Sequence, residues 1–293
     1  MTNLETMHQK ALVEYENKNL DEALKIYEEI IKASPADEVA LSCVMDIYLE
    51  KDDKFNYYLA RANVNIAQNK LEYAIPDTKK ALELNQEDLS ARRKLARLYK
   101  VNNKSLKAID EFNRLLEIEP NDLDAYFELV DLYMKENGLE PEKFVCVVPR
   151  LRFTPSGFDE QDFYYKDPNR EIPSREKIEQ DMEKLREVIA HIVRNYDLKV
   201  LICPEMTYQV PLGRRYLYDR LPERIRSRVV LKREYWITDE AQSLYSKAHS
   251  LLSMEMHSPI IFITQGKPAI LLRQAEDTVK GQMWRDVGLQ KWI

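Results

Sequence analysis

Acidic and imidazole side chains cluster in the second half of this 293-residue chain, each shortly after a short apolar run. Glu205 follows the run 199–203, and Glu255 and His257 follow the run 249–253. A histidine beside a carboxylate can donate or accept a proton during a reaction, with the carboxylate orienting its ring. The sequence therefore predicts catalytic roles for Glu205, Glu255 and His257. For His257 the alternative is a structural hydrogen bond at a turn between a strand and a helix.

Basic residues of the same half are candidates for holding an anion. Arg150 and Arg152 follow the apolar run 144–149, and Lys280 lies in the last segment of the sequence. Guanidinium groups bind planar carboxylate and phosphate groups through paired hydrogen bonds. We predict that Arg150, Arg152 and Lys280 bind an anionic small molecule. The alternative is that Arg150 forms a structural ion pair with Glu205.

Five short apolar segments in this half predict buried β-strands, and helical patterns separate them. Strands that alternate with helices form a mainly parallel sheet, for which we predict the strand order 3-2-1-4-5. Ligands bind such sheets at the carboxyl ends of the strands, where the charged residues lie. The absence of Gly-x-Gly-x-x-Gly, P-loop and Gly-x-Ser-x-Gly motifs disfavours nicotinamide dehydrogenases, P-loop nucleotidases and serine hydrolases. The predicted strands are 144–149, 199–203, 228–231, 249–253 and 268–272.

The first half of the chain contains no glycine and carries a helical pattern that recurs. Ala23 and Tyr27 are four residues apart, as are Ala108 and Phe112, and a proline follows each alanine by twelve residues. Such pairs lie on one helical face, where the small residue lets a neighbouring helix approach. The pattern resembles the tetratricopeptide repeat, with its 34-residue period, over residues 4–136. That resemblance implies a concave groove that binds a peptide or partner protein; the alternative is a spacer or oligomerisation scaffold.

Polar side chains on the first helix of each repeat are the candidates for this groove. Three closely spaced arginines are suited to clamp a carboxylate of the partner. The alternative is that they are solvated surface charges. The predicted partner-binding residues are Asn63, Arg92, Arg93, Arg97 and Lys100.

The repeats are out of phase at one point. The first two clear repeats, 4–37 and 55–88, begin 51 residues apart, which is one and a half periods. We therefore expect irregular packing near this point. Either a helix is missing after 38–54, or the segment 55–69 acts as its partner.

The second half contains the segments Val147-Val-Pro-Arg150, Cys203-Pro-Glu205, Ser253-Met-Glu-Met-His257 and Gly266-Lys-Pro268, and the tail 278–288. Together they resemble the carboxyl-terminal half of polysaccharide pyruvyl transferases. That resemblance implies a bacterial protein with a glycosyltransferase-B-like fold that moves a pyruvyl group from phosphoenolpyruvate to a sugar. The anion-binding arginine of the family falls on Arg150. The family's Arg-x-His motif falls on Glu255-Met-His257, which retains the histidine and replaces the arginine.

The predicted fold class is α + α/β. A tetratricopeptide-like helical repeat array occupies 1–137, and a single Rossmann-like, glycosyltransferase-B-type parallel-sheet domain occupies 144–293. The array stands where the transferase family has its amino-terminal domain, so half of the expected catalytic cleft is missing. Three hypotheses stay open: a pyruvyl transferase-family protein with a partner-binding array, a non-catalytic adaptor, and a repeat-bearing glycosyltransferase that uses a nucleotide-sugar.

Composition excludes several other classes. The net charge of −6 divides into −9 over the first 140 residues and +3 over the rest, and the first half lacks a basic stripe for nucleic acid. No apolar run approaches the roughly 18–20 residues that span a bilayer. Three dispersed cysteines predict neither a disulfide framework nor a metal site, and they favour a reducing, cytoplasmic compartment. We predict no cofactor.

Overall fold

A computed structural model describes residues 3–159, 161–164, 166, 174–236, 238–272, 285, 286 and 288. The chain divides into two compact units, Met1–Leu132 and Tyr133–Ile293. The first is helical and the second combines a parallel sheet with helices. Across the described ranges, every helix is too short or too polar to cross a bilayer.

The first unit contains seven helices and most of an eighth among the described residues. Asp37, Asp53 and Asp88 each begin a helix by accepting a hydrogen bond from the backbone N–H three residues later, at 2.9, 3.1 and 2.7 Å. Asp52 and Asn69 adopt positive φ angles of 51° and 56° in the tight turns between helices. The helices are α1 (Asn3–Glu16), α2 (Leu20–Ala33), α3 (Glu38–Glu50), α4 (Lys54–Ala67), α5 (Leu71–Leu84), α6 (Leu89–Val101), α7 (Ser105–Ile118) and α8 (Leu123–Glu136).

The small and large residues of the repeat pattern pack as the sequence predicts. Ala23 and Ala108 are fully buried, and so are the aromatic rings four residues later, Tyr27 and Phe112. Antiparallel neighbours pack along the unit, with α1 against α2, α4 against α5 and α6 against α7. Burial of the alanines lets the helices approach closely, so the unit is a tetratricopeptide-like repeat array.

Helix α4 is the point at which the array is irregular. It packs against both α3 and α5, so the segment 55–69 does act as the partner of the unpaired helix. The buried residues of the array form two clusters, which meet on this helix. Ala60 belongs to the cluster of α1 to α3, whereas Ala62 belongs to the cluster of α5 to α8. One helix thus serves as second helix to α3 and as first helix to α5.

The second unit is built on a five-stranded parallel sheet. Its strands lie in the order Val229–Leu231, Lys199–Ile202, Phe144–Val148, Ser250–Ser253 and Ala269–Leu271, which confirms the predicted order of the five apolar segments. All five strands are apolar and their central residues are mostly buried, as expected for a sheet covered on both faces. A short antiparallel hairpin, which the sequence did not predict, follows the first strand. The strands are β1 (Phe144–Val148), β2 (Gly157–Phe158), β3 (Phe163–Tyr164), β4 (Lys199–Ile202), β5 (Val229–Leu231), β6 (Ser250–Ser253) and β7 (Ala269–Leu271).

Helices of the second unit lie between the strands, and the longest buries an apolar stripe in the same core as the sheet. The sequence predicts one helix over 211–222, but the structure divides this region into three short turns. A π-helical turn, Gly213–Leu217, interrupts the α-helical path, and a 3-10 turn, Tyr218–Arg220, follows it. The α-helices are α9 (Arg175–Asn195), α10 (Gln209–Leu212), α11 (Glu223–Arg226), α12 (Thr238–Tyr245) and α13 (His257–Thr264).

Candidate functional sites

The carboxyl ends of β1, β4 and β6 bring four of the predicted site residues together. These strands are adjacent and parallel, so the loops that follow them meet at one edge of the sheet. The loops place Arg150, Glu205, Glu255 and His257 around an open cleft of about 310 Å³, which we call the histidine cleft. The catalytic and binding roles of these side chains stay predictions.

Glu205 orients His257 in this cleft. The Nδ1 atom of His257 lies 2.7 Å from Oε1 of Glu205, while the imidazole remains 69% exposed. The other carboxylate oxygen accepts hydrogen bonds from the backbone N–H and the hydroxyl of Ser258, at 3.0 and 2.6 Å. A carboxylate is favourable here because it lies at the N-terminus of α13. The pair can therefore present an oriented, accessible imidazole for proton transfer.

Glu255 has a different environment, because it is buried and paired with Arg150. Oε1 of Glu255 lies 3.2 Å from Nε of Arg150, and the residue is 3% exposed. The Tyr208 hydroxyl and the Gln209 amide each donate to the same oxygen at 3.4 Å. Burial, reinforced by the Glu255 charge, raises the pKa of Tyr208 well above its usual range, so the hydroxyl keeps its proton. The ion pair considered between Arg150 and Glu205 does not form, since Arg150 pairs with Glu255.

Glu205, Glu255 and His257 each offer a ligand atom within 4.8 Å of the other two, a spacing compatible with a metal ion. The surrounding charges argue against this use. A cation bound there would compete with Arg150 for the Glu255 carboxylate, and like charges in a buried site repel strongly. The donor set therefore fits hydrogen bonding and ion pairing better than metal coordination.

One predicted anion-binding residue, Arg152, lies outside the histidine cleft. Arg152 is held by Asp181 of α9 through two hydrogen bonds, at 2.8 and 2.9 Å, and does not line the cleft. This bidentate geometry is typical of a structural ion pair. Lys280 lies outside the described residues.

In the helical unit, the predicted partner-binding side chains connect successive first helices. Nε of Arg97 on α6 lies 2.8 Å from a Glu128 oxygen on α8. Lys100 contacts both Glu128 and Asp131, at 2.7 and 3.4 Å. Asn63 on α4 accepts a hydrogen bond from Lys94 on α6 at 2.5 Å. The side chains that link α4, α6 and α8 define one polar surface, which we call the first-helix face.

The remaining two arginines of the predicted clamp are bound by carboxylates of their own chain. Arg92 pairs with Glu111 at 2.8 Å, and both side chains are nearly buried. Arg93 pairs with Asp122, the N-cap of α8. These guanidinium groups therefore stabilise contacts between α6 and the helices that follow it. Their use by a partner would require exchange of one carboxylate for another.

Lys94 is the residue of this face that sequence reasoning missed. The other basic side chains of α6 form ion pairs, but Lys94 forms none with a residue in the range 3–159. Its hydrogen-bond acceptor is the neutral amide of Asn63. Burial lowers the pKa of the Lys94 ammonium, because its charge is poorly solvated. A signal was available in the sequence, since Lys94 lies three residues before Arg97 and therefore on the same helical face.

No protein-family model matches the chain. No curated protein matches it either. Solved structures similar to its helical region include YrrB, a tetratricopeptide protein with an unusual peptide-binding site, at 17% identity over 43% of this chain and 74% of that one, with a TM-score of 0.30. A thermophilic tetratricopeptide protein from Thermus thermophilus is 17% identical over 45% of this chain and 82% of that one, with a TM-score of 0.27.

The first tetratricopeptide domain of Spaghetti (RPAP3), bound to an HSP90 peptide, is 20% identical over 45% of this chain and 92% of that one, with a TM-score of 0.24. All three TM-scores lie below 0.5. The repeat character of the helical unit therefore rests on its own packing, and the function on its own residues.

Proposed function

We propose that the protein is an adaptor whose helical unit binds a carboxylate-bearing peptide segment of a partner protein on the first-helix face. This proposal rests on the surroundings of the Lys94 ammonium group. It is half-buried on that face and is bonded to a neutral amide, whereas the neighbouring bases already have carboxylate partners. A peptide carboxylate would give Lys94 a directly bonded counter-charge, and a charge-assisted hydrogen bond is about twice as strong as a neutral one.

Two exposed apolar side chains on helices α4 and α6 add a second kind of contact. Ile66 lies one helical turn after Asn63, and Val101 one turn after Arg97. Their exposed fractions are 37% and 66%. Exposed apolar groups next to a charged anchor suit a peptide with an acidic residue flanked by aliphatic or aromatic ones. Arg97, at 52% side-chain exposure, can contact the same segment from the rim.

The test is a displayed library of random peptides selected on the full-length chain. We expect enriched peptides to carry an acidic residue beside apolar ones. Their affinity should fall at least about tenfold in Lys94→Met, because one charge-assisted hydrogen bond accounts for that much. Lys32→Met is the matched control, since Lys32 is an exposed lysine on the second helix of the first repeat. Peptides that bind Lys94→Met as well as the unaltered chain would refute the proposal.

A second candidate function is favoured by the Glu205–His257 hydrogen bond. In this function, a group is transferred from an anionic donor that binds in the histidine cleft. His257 acts as acid or base, and Arg150 contacts the donor. The family resemblance implies phosphoenolpyruvate as the donor and transfer of its pyruvyl group to a sugar. A nucleotide-sugar is the alternative donor. Calorimetry with phosphoenolpyruvate and with UDP-glucose tests both. Binding that is unchanged in both Arg150→Ala and His257→Ala, or no binding at all, would leave the adaptor function alone.

A further inference from the structure

A second cleft, of about 580 Å³, opens on the second unit beside β5. Its walls carry Arg214 and Arg215 from the π-helical turn and Arg233 from the loop after β5. Phe158, from the β2–β3 hairpin, forms an aromatic wall and is 39% exposed. This volume lies within the range of small-molecule and cofactor sites. We call it the arginine cleft, and it shares no lining residue with the histidine cleft.

The position of the arginines depends on Gly213. A Cβ atom at residue 213 would lie 2.9 Å from Cγ2 of Ile202 and 3.6 Å from Cδ1 of Leu231. Only a residue without a side chain allows the turn to pack so closely on the ends of β4 and β5. The turn that begins there is π-helical, a form that is rare and frequent at functional sites. It places Arg214 and Arg215 next to each other at the carboxyl edge of the sheet.

The charge of the arginine cleft is largely uncompensated. Among its lining residues the single acid is Asp219, whose Oδ2 lies 3.6 Å from Nε of Arg214 on an exposed surface. Arg215 donates to the backbone oxygen of Asp159 at 2.7 Å and forms no ion pair with a carboxylate of the described residues, although the nearby Asp159 carboxyl group attracts its charge. Arg233 is exposed and has no ion pair or hydrogen bond to any other described residue.

The lining of this cleft also includes the apolar residues Val210, Pro211 and Leu231. Guanidinium groups bind phosphate through paired hydrogen bonds, and aromatic rings stack on planar bases. A ligand that satisfies both ends has a multiply charged phosphate group and a flat apolar body. We propose that the arginine cleft binds a nucleoside diphosphate or a closely similar phosphorylated aromatic molecule. This site is separate from the peptide surface and from the histidine cleft.

Isothermal titration calorimetry of the full-length chain with ADP, pyrophosphate and adenosine tests the assignment. We expect ADP to bind, and its affinity to fall at least about tenfold in Arg214→Gln/Arg233→Gln. Arg224→Gln is the matched control, because Arg224 is an exposed arginine of the same region that does not line the cleft.

Phe158→Ala tests the aromatic end of the site. It should weaken ADP at least about fivefold through lost stacking and leave pyrophosphate unaffected. The proposal is overturned if ADP does not bind, or if the double arginine variant binds it as tightly as the Arg224→Gln control. Tighter binding of pyrophosphate than of ADP would overturn the nucleotide class. Circular dichroism of each variant checks that the fold is retained.

Discussion

At the scale of single residues, several arginines near the candidate surfaces are paired with carboxylates of the same chain. Arg92, Arg93 and Arg97 each contact a carboxylate on a later helix, and Arg150 contacts a buried glutamate. Such pairs cost desolvation energy and add little net stability, but they position the groups that take part. Lys94 departs from this rule, and so does Arg233, which makes the two side chains informative about ligands.

Glu205→Gln should destabilise the second unit by about 1–3 kcal/mol, because the amide replaces charge-assisted hydrogen bonds with His257 and Ser258 by weaker neutral ones. Urea unfolding followed by tryptophan fluorescence measures this, since Trp236, Trp284 and Trp292 all belong to that unit. Glu234→Gln is the control: its side chain is 77% exposed, and we expect a change within about 0.5 kcal/mol. Equal effects of the two variants would contradict the role given to Glu205.

The stability of the helical unit should depend on the titration of Lys94. Because burial lowers its pKa in the folded state, the unfolded chain binds the proton more tightly. Below the pKa of Lys94 in the folded protein, the protonated ammonium therefore lowers the free energy of unfolding. This loss disappears as the pH rises from the folded pKa towards 10.5, the ordinary pKa of lysine. Lys94→Met removes the titrating group. We expect the stability of the unaltered chain to increase relative to Lys94→Met over this window.

Urea unfolding followed by circular dichroism at 222 nm, at several pH values up to 10.5, measures that difference. Lys32→Met, the exposed-lysine control, should keep the same pH dependence as the unaltered chain. A difference between Lys94→Met and the unaltered chain that stays constant with pH would contradict the prediction.

At the scale of elements, two local features decide where surfaces for binding appear. Helix α4 contributes Ala60 to one hydrophobic cluster and Ala62 to another. It therefore packs on both sides at the point where the repeats are out of phase. Near β4 and β5, Gly213 permits a π-helical turn that carries two arginines to the edge of the sheet. In both places an absent or small side chain allows an approach that a larger one would prevent.

Gly213→Ala should destabilise the second unit by about 1–3 kcal/mol, because the added methyl group overlaps Ile202 in a buried position. The double variant with Ile202→Ala relieves this overlap, so its cost should be smaller than the sum of the two single costs. Tryptophan fluorescence during urea unfolding measures all three variants. Strictly additive costs would mean that the contact between residues 202 and 213 does not limit the packing.

At the scale of the whole molecule, each of the two units contains hydrophobic clusters of its own among the described residues. The clusters of the helical unit draw on residues up to Leu132, whereas the largest cluster of the second unit begins at Val147. Units with their own cores generally unfold as separate cooperative transitions. The two halves also differ in charge, since the first 140 residues carry −9 and the remainder +3.

Thermal or urea unfolding should therefore show two transitions. Circular dichroism at 222 nm is dominated by the helical unit, and tryptophan fluorescence reports on the second unit because all three tryptophans follow residue 132. We expect different midpoints for the two signals, and Gly213→Ala should shift the fluorescence midpoint alone. Coincident midpoints in the unaltered chain and in this variant would show instead that the units unfold together.

Much of the architecture could be predicted from the sequence because it depends on local, periodic information. Spacing of Ala23, Tyr27, Ala108 and Phe112 sets which helix faces are buried, and alternation of apolar runs with helical patterns sets a parallel sheet and its strand order. The same rule places the residues that follow β1, β4 and β6 at one edge. The sequence alone thus determined the repeat helices, the five strands of the parallel sheet with their order, and the edge of the sheet at which the histidine cleft lies.

Only the tertiary structure decided which charges are paired and which remain available. The partner of Arg150 is Glu255 and not Glu205, and the predicted clamp arginines are occupied by acids 19 to 31 residues away. The arginine cleft depends on a π-helical turn that the helical pattern of 211–222 does not reveal. The physical reason is that charges pair over a few ångströms in space. Sequence patterns report the periodicity along one element, but they do not give the distance between side chains on different elements.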